Sequence, residues 1–233
     1  MKFETQCKEI IPRARDMVSY RFPRPDDLDY KPGQYMLVTI EAEGRRVIHP
    51  FSFSSSPTEK DYIEFSKRLT DSEYSKALRS FKPGTWAQID APYGIFTFQG
   101  EHQKIALLAG GIGITPFRSI CRYSADKRLD SSIILFYGCR TEDEFAFKTE
   151  FEEMQKQNPN FKVTFILSEP DNQWKGRVGF ISADLVKTEV PDFDERVFYA
   201  CGPPGMIKAM ETVITSMGLP IAQLKLEVLV GHT

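Results

Sequence analysis

Along the first hundred residues short runs rich in β-branched and aromatic side chains fall at 35–40, 47–54, 62–66 and 85–90, and apolar and polar positions alternate over 51–54. Such runs read as strands, and alternation puts every second side chain on one face. The turn formers Lys31-Pro-Gly33, Glu43-Gly44 and Lys82-Pro-Gly84 punctuate the runs, and one brief helical stretch falls at 72–80. Many short strands at this spacing predict a small antiparallel barrel. After Gly100 the rhythm changes to mostly apolar runs at 105–109, 132–137, 162–167, 196–200 and 225–230. Helical periodicity fills the intervals: from Pro116, near 142–157, after Ser182 and over 204–217. Predominantly apolar strands alternating with helices predict a doubly wound parallel sheet covered on both faces. The expected division is therefore a β-barrel domain at 1–100 and an α/β domain at 101–233, joined near 99–103. No internal repeat or low-complexity segment interrupts either part.

Composition narrows the class. The 233 residues carry 30 Lys and Arg against 32 Asp and Glu, a net charge of −2, so no field of the whole chain would gather a polyanion. Nucleic acid is not an expected partner. With 41% apolar and 27% charged residues the chain reads as soluble and globular, and 18 Phe with nine Tyr promise an aromatic core. The most apolar stretch, 105–117, is shorter than the roughly 18 residues of a spanning helix and contains three glycines. No membrane span is expected. The start, Met1-Lys-Phe-Glu-Thr-Gln6, lacks a secretory pattern, which makes the cytoplasm the expected location. Cys7, Cys121, Cys139 and Cys201 form no C-x-x-C pair, so neither a zinc ribbon nor an iron–sulfur loop, nor any other metal site, is expected.

Three segments carry candidate chemistry. Leu107-Leu-Ala-Gly-Gly-Ile-Gly-Ile-Thr-Pro-Phe117 is a buried strand that runs into Gly110, Gly111 and Gly113 and then into a helix opened by Thr115 and Pro116. Glycines let backbone approach a pyrophosphate, and the first helical turn offers N–H groups to negative charge. Pro116 stands where a third spaced glycine would be expected, and it suits a helix start. Taken alone, a ligand-free glycine-rich turn explains the segment as well as a dinucleotide loop does. Tyr199-Ala-Cys-Gly-Pro-Pro-Gly-Met206 follows another predicted strand, and ligands of open parallel sheets bind at such carboxyl ends. By itself Cys201 is more often a small buried filler than a reactive thiol. In the barrel, His49-Pro-Phe-Ser-Phe-Ser-Ser-Ser-Pro57 alternates Phe51 and Phe53 with Ser52 and Ser54. That spacing suits a flat ring needing both stacking and hydrogen bonds; core packing explains the two Phe equally, and a lone His49 is commonly structural.

Together these segments resemble the ferredoxin-NADP reductase superfamily over nearly the whole chain. Pro32-Gly-Gln-Tyr35 is similar to that family's Pro-Gly-Gln-Tyr/Phe motif, and His49-Pro-Phe-Ser52 to its Arg-x-Tyr-Ser/Thr flavin motif. Thr70-Asp-Ser-Glu-Tyr-Ser-Lys-Ala-Leu78 resembles the short helix that binds the flavin phosphates, with Thr70, Ser72 and Ser75 as its hydroxyls. Ala91-Pro-Tyr-Gly-Ile-Phe96 resembles the Gly-Pro-x-Gly-x-Phe that closes the barrel, and Gly110 to Pro116 the nicotinamide-nucleotide phosphate loop. Cys201, Gly202, Pro203, Pro204 and Met206 resemble the loop beside the nicotinamide. The resemblance implies a Greek-key flavin barrel followed by a pyridine-nucleotide domain. It implies FAD, with FMN as the alternative, bound by 49–54 and by the helix motif. It also implies that the Ser52 hydroxyl faces flavin N5, that Gly111 and Gly113 admit the pyrophosphate, and that Cys201 and Glu227 flank the nicotinamide.

The departures carry information as well. His49 replaces an Arg and Phe51 replaces a Tyr, a form associated with the ferric reductase and NADPH oxidase branch. An Arg fork holds phosphate at any physiological pH, whereas His49 is charged only part of the time, which implies weaker flavin binding. The chain ends Lys225-Leu-Glu-Val-Leu-Val-Gly-His-Thr233, with Leu229 where plant-type members place an aromatic ring on the flavin. No iron–sulfur domain follows, so the acceptor is expected to be separate. After the third strand of the α/β part, Ser168-Glu169 stands where NADPH-using members carry Ser-Arg. Glu169 would repel a 2′-phosphate and favours NADH; Arg140, Lys175 and Arg177 pull toward NADPH, and each is equally readable as a solvated surface charge.

The expected activity is that of a flavoprotein reductase. It takes hydride from NADH or NADPH onto FAD and passes electrons to a ferredoxin-like protein, another redox protein or a small acceptor. The alternatives are an electron-transfer subunit of a larger redox complex, a ferric chelate or free flavin reductase, and a nucleotide-binding sensor that has lost its flavin.

Overall fold

The structure, a computed structural model, describes residues 1–229. The end of the last expected strand, Val230, and Gly231-His-Thr233 lie outside the described residues. Two compact units are present among the described residues, one of Met1–Gln99 with Thr115–Asp126, the other of Gly100–Ile114 with 127–229.

The first unit holds β1 (Lys2–Gln6), β2 (Glu9–Ala14), β3 (Met17–Pro23), β4 (Tyr35–Ala42), β5 (Arg45–Ser52), β6 (Tyr62–Arg68), α1 (Glu73–Arg79) and β7 (Trp86–Tyr93). All pairings are antiparallel, in a four-stranded sheet β1-β7-β4-β5 and a three-stranded sheet β2-β3-β6. The β-rich runs located β4 to β7 and missed β1 to β3. Lys2–Gln6 and Glu9–Ala14 mix charge with half-burial, and Pro12 interrupts β2. Proline is tolerated there because β2 is an edge strand whose register shifts between Pro12 and Ala14. The expected Glu43-Gly44 turn joins β4 to β5 with positive φ at both residues, 48° and 75°, as a tight hairpin with right-handed strand twist requires. Tyr20, Phe22, Phe53, Phe65 and Tyr74 fill the interior of this unit. Gly33 (φ +97°) lies so close to the Phe96 carbonyl that a Cβ would sit 2.1 Å from its oxygen, which ties Pro32-Gly-Gln-Tyr35 to Gly94-Ile-Phe96.

In the second part of the chain come β8 (Lys104–Gly110), α2 (Ile114–Lys127), β9 (Ser132–Cys139), α3 (Lys148–Gln157), β10 (Phe161–Leu167), β11 (Arg177–Val178), α4 (Ala183–Glu189), β12 (Val197–Gly202), α5 (Pro204–Ser216) and β13 (Leu224–Val228). The sheet is parallel throughout, in the order β11-β10-β9-β8-β12-β13. The mostly apolar runs are explained by burial of both faces. Ala106, Leu108, Phe136, Ile166, Phe198 and Ala200 pack on one side with Val186 of α4 and with Ile207, Met210 and Ile214 of α5. On the other side Tyr137 meets Phe151 of α3.

Two helices differ from expectation. The helix at 142–157 is interrupted: Glu142–Glu144 forms a single 3₁₀ turn, Phe147 turns left-handed at φ 59°, and α3 begins only at Lys148. The irregular stretch lets Phe145 leave the helical path and reach Tyr137 and Phe165, both 5.0 Å away between ring centres. α2 begins at Ile114, after a 3₁₀ turn over Gly111–Gly113, so Pro116 is its third residue. A proline there breaks no bond, since the first four N–H groups of a helix have no intrahelical acceptor. No helix among the described residues is long and apolar enough to cross a membrane.

Candidate functional site

In the first unit the candidate residues cluster at the end of β5. Ser52 is the last residue of that strand, opposite Tyr35 of β4, and is 5% exposed. Its hydroxyl is buried and has no hydrogen-bond partner. Buried polar atoms are nearly always paired, so an orphan hydroxyl marks a place where a bound group completes the bonding. Phe51 is half-buried and stacks on Phe65 at 4.5 Å. His49, also half-buried, stands edge-on to Tyr74 at 4.3 Å, and the Tyr74 hydroxyl donates to Val38 O at 2.9 Å. Pro50 is exposed.

The strand alternation does not continue past Ser52. Phe53 is fully buried, stacks on Tyr30 at 3.9 Å and bridges to Phe65. Ser54, equally buried, donates to Glu64 Oε1 at 2.8 Å. Both residues, expected as flavin contacts, are buried where β5 ends at Ser52 and the chain turns inward.

Sequence reasoning missed Glu64, which is wholly buried and also accepts from Arg13 (2.7 Å) and Arg21 (2.8 Å). A charged residue inside the apolar run Ile63 to Phe65 was the available signal. Thr70, Ser72 and Ser75 come together at the start of α1, with hydroxyl separations of 3.0 to 3.2 Å, and Ser72 caps the helix through Ser75 N.

The second unit supplies another set. Its strand order reverses between β8 and β12, the place where open parallel sheets bind ligands. Both glycine loops leave from that point. Gly110 ends β8, and Gly202 ends β12, whose Cys201 pairs with Ala109 in register. The glycines are demanded by the loops' own contact: a Cβ on Gly113 would lie 2.1 Å from Cys201 O and 2.8 Å from Gly202 Cα. Met206 fills the gap over Gly110 and Gly202, where added Cβ atoms would meet its sulfur at 2.2 and 2.7 Å. Gly111 adopts φ +53°, while Thr115 and Pro116 are buried and Pro203 and Pro204 are exposed.

Cys201 faces Glu227 across the β12–β13 register. Burial pushes the Glu227 carboxyl up to about 7 and the Cys201 thiol well above its ordinary value, with the carboxylate adding to the latter. Leu229 N donates to Gly202 O at 3.0 Å, which seats the end of β13 on the second loop. Farther along the same sheet edge, Glu169 N donates to Arg140 O at 2.9 Å, so the loops after β9 and β10 adjoin. Arg140 is bound to Glu144 at 2.9 Å and Arg177 to Glu189. Phe180, which sequence reasoning passed over, is 81% exposed just beyond β11. An apolar ring in the loop Gly179 to Ile181 was its only signal.

A doubly wound sheet with paired glycine loops at its switch point, preceded by two antiparallel sheets with an orphan hydroxyl, is the architecture of a dinucleotide-binding protein. Comparison with known proteins agrees. Residues 3–98 match the oxidoreductase FAD-binding domain family and residues 107–212 the oxidoreductase NAD-binding domain family. NADH-cytochrome b5 reductase 1 of Candida glabrata is 30% identical over 95% of this chain and 81% of its own length. The protein of that name from Scheffersomyces stipitis is 31% identical over 88% and 75%. Among solved structures, the flavohem-like FAD/NAD-binding domain of nitric oxide dioxygenase from Vibrio cholerae superposes with a TM-score of 0.87 at 21% identity, covering 97% of this chain and 98% of that one. The chain belongs to the ferredoxin-NADP reductase-like family of flavin- and NAD(P)-binding oxidoreductases. It is an NAD(P)H-dependent flavoprotein reductase that uses FAD.

Proposed function

We propose that the protein oxidises NADH in preference to NADPH and delivers electrons to a separate small haem protein of the cytochrome b5 kind. Charge at the carboxyl edge of the second unit carries the nucleotide preference. Glu169 is exposed there, and two of the three cations that could offset it, Arg140 and Arg177, are engaged by Glu144 and Glu189, which leaves only the flexible Lys175. A 2′-phosphate would meet a carboxylate with no free guanidinium beside it, whereas a 2′-hydroxyl can donate to that carboxylate. The acceptor reading is supported by the relatives named as NADH-cytochrome b5 reductases.

Bound FAD supplies the exchange between two-electron and one-electron chemistry. The protein's part is binding and orientation. Ser52 offers its unpaired hydroxyl to the flavin ring, His49, Pro50 and Phe51 border it, and Thr70, Ser72 and Ser75 gather hydroxyls at the start of α1 for the phosphates. Gly110, Gly111 and Gly113, with Thr115 and Pro116 opening α2, hold the nucleotide pyrophosphate. Cys201 and Glu227, with Gly202 to Pro204 beside them, flank the nicotinamide. Because Glu227 exchanges its proton near neutrality, the charge next to the nicotinamide falls as the pH drops below about 7.

A second reading, a reductase subunit working inside an oxygenase complex, is favoured by one relative. The glycine betaine monooxygenase reductase subunit of Chromohalobacter salexigens is 26% identical over 95% of this chain and 62% of its own length. Steady-state assays with purified cytochrome b5 separate the readings. We expect kcat/KM for NADH to exceed that for NADPH by at least about tenfold, equivalent to roughly 1.4 kcal/mol of charge repulsion, with rapid cytochrome b5 reduction. Equal use of both nucleotides would overturn the specificity argument. Turnover with ferricyanide and none with cytochrome b5 would favour the subunit reading.

A further inference from the structure

We propose that Arg118 is a positioning residue that pins the segment following Ser52 to the helix following the glycine turn, and so sets the geometry of hydride transfer. The inference rests on the functional reading above. Arg118 lies one turn into α2 and is 3% exposed, an uncommon place for a guanidinium unless every donor is engaged. Its Nη1 donates to Ser54 O at 2.9 Å, and its fork grips both carboxylate oxygens of Glu59, Nη2 to Oε1 at 2.9 Å.

The neighbouring residues of the same helix repeat the pattern. Ser119 Oγ donates to Ser55 O at 2.7 Å, and Asp126 accepts from the Thr58 hydroxyl. From the other side Arg24 donates to Pro57 O at 2.8 Å, and Tyr30 donates to Ser55 O at 3.2 Å. The carbonyls of Ser54, Ser55, Pro57 and Glu59 are therefore taken by side chains, not by a strand partner. Such a segment cannot drift without breaking charge-assisted bonds, which are the stronger kind.

Both ends of this clamp adjoin proposed site residues along the chain. Ser52 precedes Ser54 by two residues, and Arg118 follows Thr115 and Pro116 by two to three. A bidentate ion pair alone would be served by any buried cation. Holding the third bond, to Ser54 O, as well as both Glu59 oxygens takes donors spread over the nitrogens of a planar fork, whereas lysine's three donors radiate from one nitrogen. A purely stabilising ion pair has no need of that bond, so it is the feature that distinguishes positioning from stability.

The test compares wild-type protein with Arg118→Lys, both isolated with their flavin. Lysine keeps a cation opposite Glu59 and gives up the fork. We expect flavin content to be retained. Without nucleotide, amide hydrogen exchange should quicken about tenfold in peptides covering 52–59 and 110–118, the scale of one lost charge-assisted bond on a local opening equilibrium. The rate of flavin reduction at saturating NADH should fall about tenfold, as displacement of reacting groups predicts. If Arg118→Lys does not fold, Ser119→Ala removes only the adjoining bond to Ser55 O and should shift both readouts in the same direction by a smaller factor.

Lowered thermal stability with wild-type exchange in those peptides and a wild-type reduction rate would overturn the proposal and leave the ion pair merely structural. A wild-type protein that neither nucleotide reduces would refute the functional reading itself.

Discussion

Glu227 offers the sharpest test of the electrostatics, because its half-buried carboxyl is raised from an ordinary 4.5 to about 7 by burial. A group whose folded pKa lies above its unfolded value binds its proton more tightly in the native state. Its contribution is complete below about 4.5 and is lost as the pH rises through about 7. The full shift corresponds to about 3 kcal/mol at roughly 1.4 kcal/mol per pH unit. Partial exposure screens the charge and reduces the expected loss to about 2 kcal/mol. Glu227→Gln is isosteric with the protonated acid and stays neutral throughout. The variant should match wild type at pH 5 and exceed it by about 2 kcal/mol at pH 8, while every other titrating group cancels in the difference. Urea unfolding of both proteins at pH 5, 6, 7 and 8 measures this directly. A stability difference that does not change with pH, or a wild type that gains on the variant as the pH rises, would refute the reasoning.

Two further substitutions probe the loops and the orphan hydroxyl. Gly113→Ala drives a Cβ to 2.1 Å from Cys201 O, so the two glycine loops must part. We expect a loss of about 1–3 kcal/mol in stability together with weaker NAD(P)⁺ binding by calorimetry; unchanged affinity would show that the loop contact does not shape the nucleotide site. Ser52→Ala removes a hydroxyl that makes no protein hydrogen bond, so the flavin-free protein should lose less than about 0.5 kcal/mol. In the flavin-loaded protein the visible absorption band and the reduction rate should both change. A large loss in the flavin-free protein alone would give Ser52 a structural role.

How much of this was legible in the sequence follows from where each signal resides. The parallel sheet was visible because strands buried on both faces must be predominantly apolar, as 105–109 and 132–137 are. β1 and β2 were not, since edge strands rich in Lys, Glu and Arg carry no such run, and only pairing with β7 and β3 makes them strands. The glycine loops could be found by composition, but their cause could not. Gly113 is glycine because the Cys201 carbonyl stands against it, a neighbour 88 positions away. Likewise the period of two along 51–54 placed Phe53 and Ser54 with Phe51 and Ser52, while the chain turns inward after Ser52 and buries the later pair. Arg118 and Glu59 resemble ordinary surface charges in one dimension. Their burial is fixed by partners from separate segments, and no local pattern announces it.

The central claim is that this chain moves electrons from a reduced nicotinamide nucleotide into a bound flavin. Anaerobic titration of the purified protein with NADH, followed in the visible flavin absorbance, tests it most directly. The account predicts bleaching complete at near-stoichiometric NADH, with NADPH distinctly slower. A protein that binds neither FAD nor FMN, or a flavin-loaded protein that stays oxidised in the presence of both nucleotides, would contradict it.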